Sequence, residues 1–226
     1  MKLASLYSGG KDSNYALYLA QQAGLDVKTL ITMLPQEDSW MYHVPNIRWT
    51  GLQSHSLGIP QLTERAGEGV EEELEALERA LVKAEVEGVV VGAVASDYQY
   101  TRVNQVCEEL DLWVYSPMWR KDPRRLLPEY VEAGFQIMVV GVYAEGMDES
   151  WLGRIIDAEG CEAILELEEN YGVHPIGEGG EFETLVLDGP NFSTRIEIVE
   201  AERDWRGSSG TLHVREVALI EKNRDD

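Results

Sequence analysis

Near the start of the chain, the run Ser8-Gly9-Gly10-Lys11-Asp12-Ser13 collects groups suited to holding phosphate. Two adjacent glycines let the backbone turn sharply and approach an anion with no side chain in the way. A helix that begins beside them points its unpaired amides, and the positive end of its dipole, at the same place. Ser8 and Ser13 add hydroxyl donors, and Lys11 adds a positive charge. An ordinary glycine-rich turn capped by Ser or Asp accounts for Gly9 and Gly10 but not for the whole set. The run is not the common mononucleotide loop, because Asp12 follows Lys11 where Ser or Thr is required. It is not a dinucleotide fingerprint either, since Gly-x-Gly-x-x-Gly is absent.

Two further clusters could bind a ligand. Ser96, Asp97, Tyr98 and Gln99 follow the apolar run 89–94. In an open parallel sheet, ligands sit beyond the carboxyl ends of the strands, which puts this stretch at a site. Ser96 or Asp97 also suits a helix cap, and the two roles are compatible. Glu178, Glu181 and Glu183 lie in a glycine-rich loop entering a strand. They read either as a polar turn or as a site for a cationic group. Trp40, Tyr42, Trp49 and Trp119 offer aromatic faces to a cation, or simply core.

These groups need elements to position them. Residues 2–7 read as a buried strand and 14–23 as a helix stopped by Gly24. Residues 27–34, 59–63, 89–94 and 112–115 read as strands, with helices over 47–57, 71–87 and 102–110 between them. Strand and helix in alternation indicate an α/β, doubly wound parallel sheet. The pattern changes near residue 120. Strands at 135–143, 182–187, 194–201 and 211–220 and a helix at 159–171 predict a smaller mixed α+β domain over 121–226, ending in a hairpin around residues 206–210.

The net charge of −22, from 41 acidic and 19 basic residues, argues against a protein that tracks along nucleic acid. One basic cluster, Arg120-Lys121-Asp122-Pro123-Arg124-Arg125, could override that average locally. No apolar run is long enough for a membrane span. A cleavable leader would remove the phosphate loop, and Cys107 and Cys161 lie far apart in no metal-ligand spacing. Both observations suit a reducing cytoplasm. Homo-oligomerisation is left open.

The Ser8–Ser13 run resembles the pyrophosphate loop of the N-type ATP pyrophosphatases. That resemblance implies a five-stranded sheet of the HUP type, ATP with Mg²⁺, and cleavage to AMP and pyrophosphate. Three other stretches resemble the diphthine–ammonia ligases. They are Met41-Tyr42-His43 with Pro45-Asn46, Gly92–Gln99 continuing to Arg102-Val103 and Pro117-Met118-Trp119, and Gly177–Pro190. Tyr100 stands where that family pattern has a basic residue. The resemblance implies amidation of the diphthine carboxylate on translation elongation factor two through an adenylated intermediate. It places Ser8, Gly9, Gly10, Lys11, Asp12 and Ser13 on ATP, with Asp12 toward the metal. It gives Lys11, Asp97 and Glu181 catalytic roles, and puts Tyr42, His43, Ser96, Tyr98, Gln99, Glu178 and Glu183 on the substrate. Neither an amino-terminal Cys nor a glutamine-hydrolysing domain is recognised, so ammonium is the expected nitrogen source. Two rivals share the loop: a tRNA-modifying ligase, which calls for a basic face, and a non-catalytic ATP sensor.

Overall fold

The computed structural model describes residues 1–34, 46–67 and 69–222. Contacts divide the chain into two units, Met1–Ser8 with Asp12–Arg120, and Gly9–Lys11 with Lys121–Asp226.

The first unit carries β1 (Lys2–Leu6), α1 (Lys11–Gln22, its first residue counted with the second unit), β2 (Asp26–Leu34), α2 (Thr50–Leu57), β3 (Gln61–Arg65), α3 (Val70–Ala84), β4 (Gly88–Val90), α4 (Asp97–Glu109) and β5 (Trp113–Tyr115). A 3-10 turn, Ile47–Trp49, precedes α2. The strands form one parallel sheet in the order β3-β2-β1-β4-β5. Adjacent residues on a strand face opposite sides, and the core follows that rule. Ile31 joins Ala4, Leu77, Leu81, Val89, Val106 and Cys107 on one side, whereas Leu30 joins Tyr7, Leu17 and Ile59 on the other. Strand order reverses between β1 and β4, which is where open α/β sheets place their ligands.

A buried polar network fixes the carboxyl ends of β1 and β2. The Thr32 hydroxyl donates to the Tyr7 carbonyl (2.7 Å), and Gln61 Nε2 donates to Thr32 and Thr50 Oγ1, each at 2.7 Å. The Tyr7 hydroxyl donates to Asn14 Oδ1 of α1 (2.7 Å), and burial holds that phenol far above its ordinary range.

The second unit carries α5 (Pro123–Glu132), β6 (Gln136–Val142), β7 (Ile155–Ile156), α6 (Ala158–Tyr171), β8 (Phe182–Asp188), β9 (Thr194–Trp205) and β10 (Gly210–Glu221). Its sheet is antiparallel throughout. β6 is the central strand: β8 runs along one edge, while β7 and β10 share the other. Val140, Val142, Leu185 and Val186 are buried.

Several sequence expectations shift. The helix expected over 102–110 begins five residues earlier, because Ser96 caps it by accepting a hydrogen bond from Gln99 N (3.3 Å). The strand expected over 89–94 pairs only through Val90. α5 was not foreseen: the basic cluster hides an Asp122 cap with Pro123 at the first turn, a favoured helix start. The hairpin strands β9 and β10 run longer than expected, twelve residues each.

Gly92, just beyond β4, sets how closely that chain approaches α1. A Cβ there would lie 2.9 Å from the Asp12 carbonyl carbon and 3.0 Å from Ser13 N. Both are backbone atoms with no freedom to swing away. Gly92→Ala should therefore destabilise the protein by about 1–3 kcal/mol, the usual cost of forcing an extra carbon into a packed site. A denaturant midpoint equal to wild type would show that α1 tolerates displacement.

Candidate functional site

In the first unit the phosphate-loop flanks meet. Ser8 N and Ser8 Oγ each lie 3.3 Å from Ser13 Oγ, so the two hydroxyls expected to face phosphate are side by side. Asp12 follows in the first turn of α1. Both Ser8–Ser13 and Ser96–Gln99 leave the strands that flank the order reversal, β1 and β4. Asp97 pairs with Arg120 (2.6 Å), with both side chains largely exposed. Such a pair adds little stability, about 0–1 kcal/mol, which leaves Asp97 free to exchange partners. Tyr98 is exposed beneath the Arg102 guanidinium, and Gln99 is exposed.

Gly9–Lys11 is held by the second unit's own strand β8. Gly9 adopts a left-handed φ of 82°, so the turn requires glycine there rather than at Gly10. The Gly9 carbonyl accepts from Val186 N (3.0 Å), and Lys11 N donates to Thr184 Oγ1 (3.2 Å). The Lys11 ammonium is buried, donates to the Ile176 carbonyl, and sits 5.4 Å from the centre of the Phe182 ring. Thr184 and Ile176 were not singled out from sequence. Only the fold brings them to the lysine.

The expected glutamates gather near the same strand. Glu181 Oε1 accepts from His174 N (3.2 Å), and Glu178 N lies 3.5 Å from His174 Nδ1. The Oε2 atoms of Glu181 and Glu183 are buried with no hydrogen-bond partner among the described residues. Burial pushes the Glu183 carboxyl up to about 7, against the opposing pull of Lys11. Tyr143, which no local pattern marks out, is raised by burial, opposed by its hydrogen bond to Thr211, and raised further by the Glu183 charge.

Trp49 and Trp119, two of the four aromatic candidates, have separate partners. Trp119 stacks on Tyr100 (centroids 3.8 Å apart, 8° between planes), whereas Trp49 lies under Arg48. No ring contact joins them among the described residues. Trp40, Tyr42 and His43 lie outside the described residues. The basic cluster is neutralised in place: Lys121 pairs with Glu129, Arg124 with Glu168 and Arg125 with Asp122. Among the described residues no three His, Cys, Asp or Glu side chains form a metal cage. Mg²⁺ normally needs none, since it takes one or two carboxylates plus substrate phosphates. Asp12 fits that donor set. No helix among the described residues is long and apolar enough to cross a membrane.

Comparison with known proteins joins these features. Residues 1–114 match the family model for the diphthamide synthase N-terminal domain, and residues 122–220 match that for the C-terminal domain. The chain belongs to the diphthamide synthase family. A Homo sapiens protein named diphthine–ammonia ligase is 34% identical over 250 residues, covering 100% of this chain and 93% of that one. The Bos taurus protein of the same name is 32% identical with the same coverage. The Schizosaccharomyces pombe protein of that name is 34% identical over 97% of this chain but only 40% of its own length. In a diphthamide synthase family member, a half-buried glutamate on the strand that holds the loop lysine calls for a chemical reason.

Its cost is measurable. Folded Glu183 binds its proton more tightly than the unfolded chain, whose carboxyl has the ordinary value of 4.5. The stabilisation from protonated Glu183 is therefore complete below the unfolded value and is lost as pH rises through about 7. The shift corresponds to about 3 kcal/mol. Glu183→Gln should raise stability relative to wild type by an amount that grows from about pH 5 to about pH 8 and then levels off. Chemical denaturation across that range checks this. A constant difference would mean that Glu183 is not held protonated.

Proposed function

We propose that this chain is an AMP-forming, ATP-dependent ligase that amidates the diphthine carboxylate of translation elongation factor two with ammonium, completing diphthamide. What carries this reading is the presence of both family domains in a chain whose pyrophosphate loop follows the first strand of a parallel sheet, beside the point where strand order reverses. A carboxylate is a poor acyl donor, because oxide would have to leave. Adenylation replaces that leaving group with AMP.

We assign residues 1–120 to ATP binding and 121–226 to the acceptor. Ser8, Gly9, Gly10, Lys11, Asp12 and Ser13 hold ATP through backbone amides, hydroxyls and the lysine charge. Lys11 stabilises the charge that develops on departing pyrophosphate. Mg²⁺, held by Asp12 and the phosphates, would add positive charge at the same place. Ser96, Asp97, Tyr98 and Gln99, with Tyr42 and His43, line the substrate. Asp97 exchanges Arg120 for a substrate group. Glu178, Glu181 and Glu183 serve the acceptor, with Glu181 acting in amidation. The protein acts in the cytoplasm. The charge of −22 and the locally paired arginines favour a protein acceptor over tRNA.

Purified protein should convert diphthine-bearing elongation factor two to the amide with ATP and ammonium, without glutamine, forming AMP in step. Lys11→Ala should slow AMP formation about 10²–10³-fold. Intact-mass analysis of the acceptor and AMP quantification check both. AMP formed only with tRNA, or near-normal rates in the variant, would defeat the assignment.

A further inference from the structure

We propose that Glu183 is the general base of the amidation step, taking the proton that the attacking nitrogen must lose. This rests on the function proposed above. Glu183 lies in a row across three strands: Thr211 on β10 is opposite Gly141 on β6, and Gly141 is opposite Glu183 on β8. Residues directly opposite one another share a face of the sheet. Gly141 leaves that face bare in the middle of the row. A Cβ there would lie 2.8 Å from the Tyr143 hydroxyl oxygen and 2.9–3.1 Å from its ring carbons. The Tyr143 ring therefore folds over Gly141, and its hydroxyl reaches Thr211 Oγ1 at 3.2 Å. The phenol is thus engaged at one end of the row, and the carboxylate stands at the other.

Among the described residues, several charged or titratable groups lie near Glu183. Lys11 attracts its ionised form, and Tyr143 lies across the row. The preceding loop brings Glu178, Glu181 and His174, where Glu181 Oε1 accepts from His174 N and Glu178 N approaches His174 Nδ1. Glu183 Oε2 is buried with no hydrogen-bond partner among the described residues. An unsatisfied buried carboxylate oxygen costs free energy unless a ligand fills the gap. A carboxyl pushed up to about 7 is also matched to proton transfer near neutral pH. A structural carboxylate would gain nothing from that environment. A base beside the pyrophosphate-loop lysine would.

The step balances as follows. The ammonia lone pair forms a C–N bond at the acyl carbon of the adenylate, and the carbonyl pair moves onto oxygen. The nitrogen, now positive, gives one proton to the Glu183 carboxylate. The carbonyl re-forms, the C–O bond to AMP breaks, and AMP leaves with the electron pair. Glu183 then releases the proton to solvent. The products are amide, AMP and one proton.

The test follows kcat/KM for unprotonated ammonia, with free ammonia corrected at each pH, using the full chain and diphthine-bearing elongation factor two. Wild type should rise through about pH 7 and then level off. Glu183→Gln should lose that inflection and fall about 10²–10⁴-fold, the usual range for losing a general base. Hydroxylamine should narrow the deficit, because its adduct gives up a proton to water more readily. A flat wild-type profile would overturn the inference whether or not the variant folds. So would an inflection kept in Glu183→Gln, or an equal deficit with hydroxylamine. No AMP from wild type on this acceptor would instead overturn the proposed function, and the inference with it.

Discussion

A buried ammonium ion is the constraint on which the functional half of this protein turns. Lys11 is only 4% exposed, and a lysine charge is stable away from water only when oxygen or π-electron partners surround it. One stretch of chain supplies the Ile176 carbonyl and the Phe182 ring, with the Glu183 charge acting on the same lysine. Strand β8 also holds the loop backbone, through Thr184 Oγ1 on Lys11 N and Val186 N on the Gly9 carbonyl. The conspicuous Gly177–Pro190 sequence therefore does two jobs. It solvates the lysine, and it presents the Glu183 carboxyl, whose ionised form the lysine favours.

The parallel sheet contributes a different kind of precision. Its order reversal brings the chains leaving β1 and β4 to one end of the sheet, and Gly92 lets them touch backbone to backbone. Asn14 is fixed by the Tyr7 hydroxyl, and β2 is tied to the Tyr7 carbonyl through Thr32. The first turn of α1 is therefore clamped by main-chain contact on one side and a buried hydrogen bond on the other. Preorganised donors of this kind need no rearrangement when charge develops.

Much of this was legible in the sequence, for identifiable reasons. The parallel sheet announced itself through alternating strands and helices, and the phosphate loop through a dense set of donors at one spacing. The Ser96 cap was legible as one of two compatible roles for that stretch. What was hidden depends on register. Nothing in the local pattern places Tyr143 beside Glu183, because that neighbourhood exists only once β6, β8 and β10 pair as they do. Helix α5 was masked by its own charges, since Arg124 and Arg125 read as a basic patch while Asp122 and Pro123 were the helix start. The aromatic residues were open to two readings, cation cage or core, and Trp119 packs against the core. Trp119 finds its partner in Tyr100, at the position where the family pattern has a basic residue.

In this reaction the acceptor carboxylate itself attacks ATP, so that AMP leaves carrying one of its oxygens. Oxygen-18 in the diphthine carboxylate tests this directly. After turnover with ATP and ammonium, mass spectrometry should find label in the phosphate of AMP and none in pyrophosphate. Unlabelled AMP, or label in pyrophosphate, would contradict an adenylated intermediate and the account built on it.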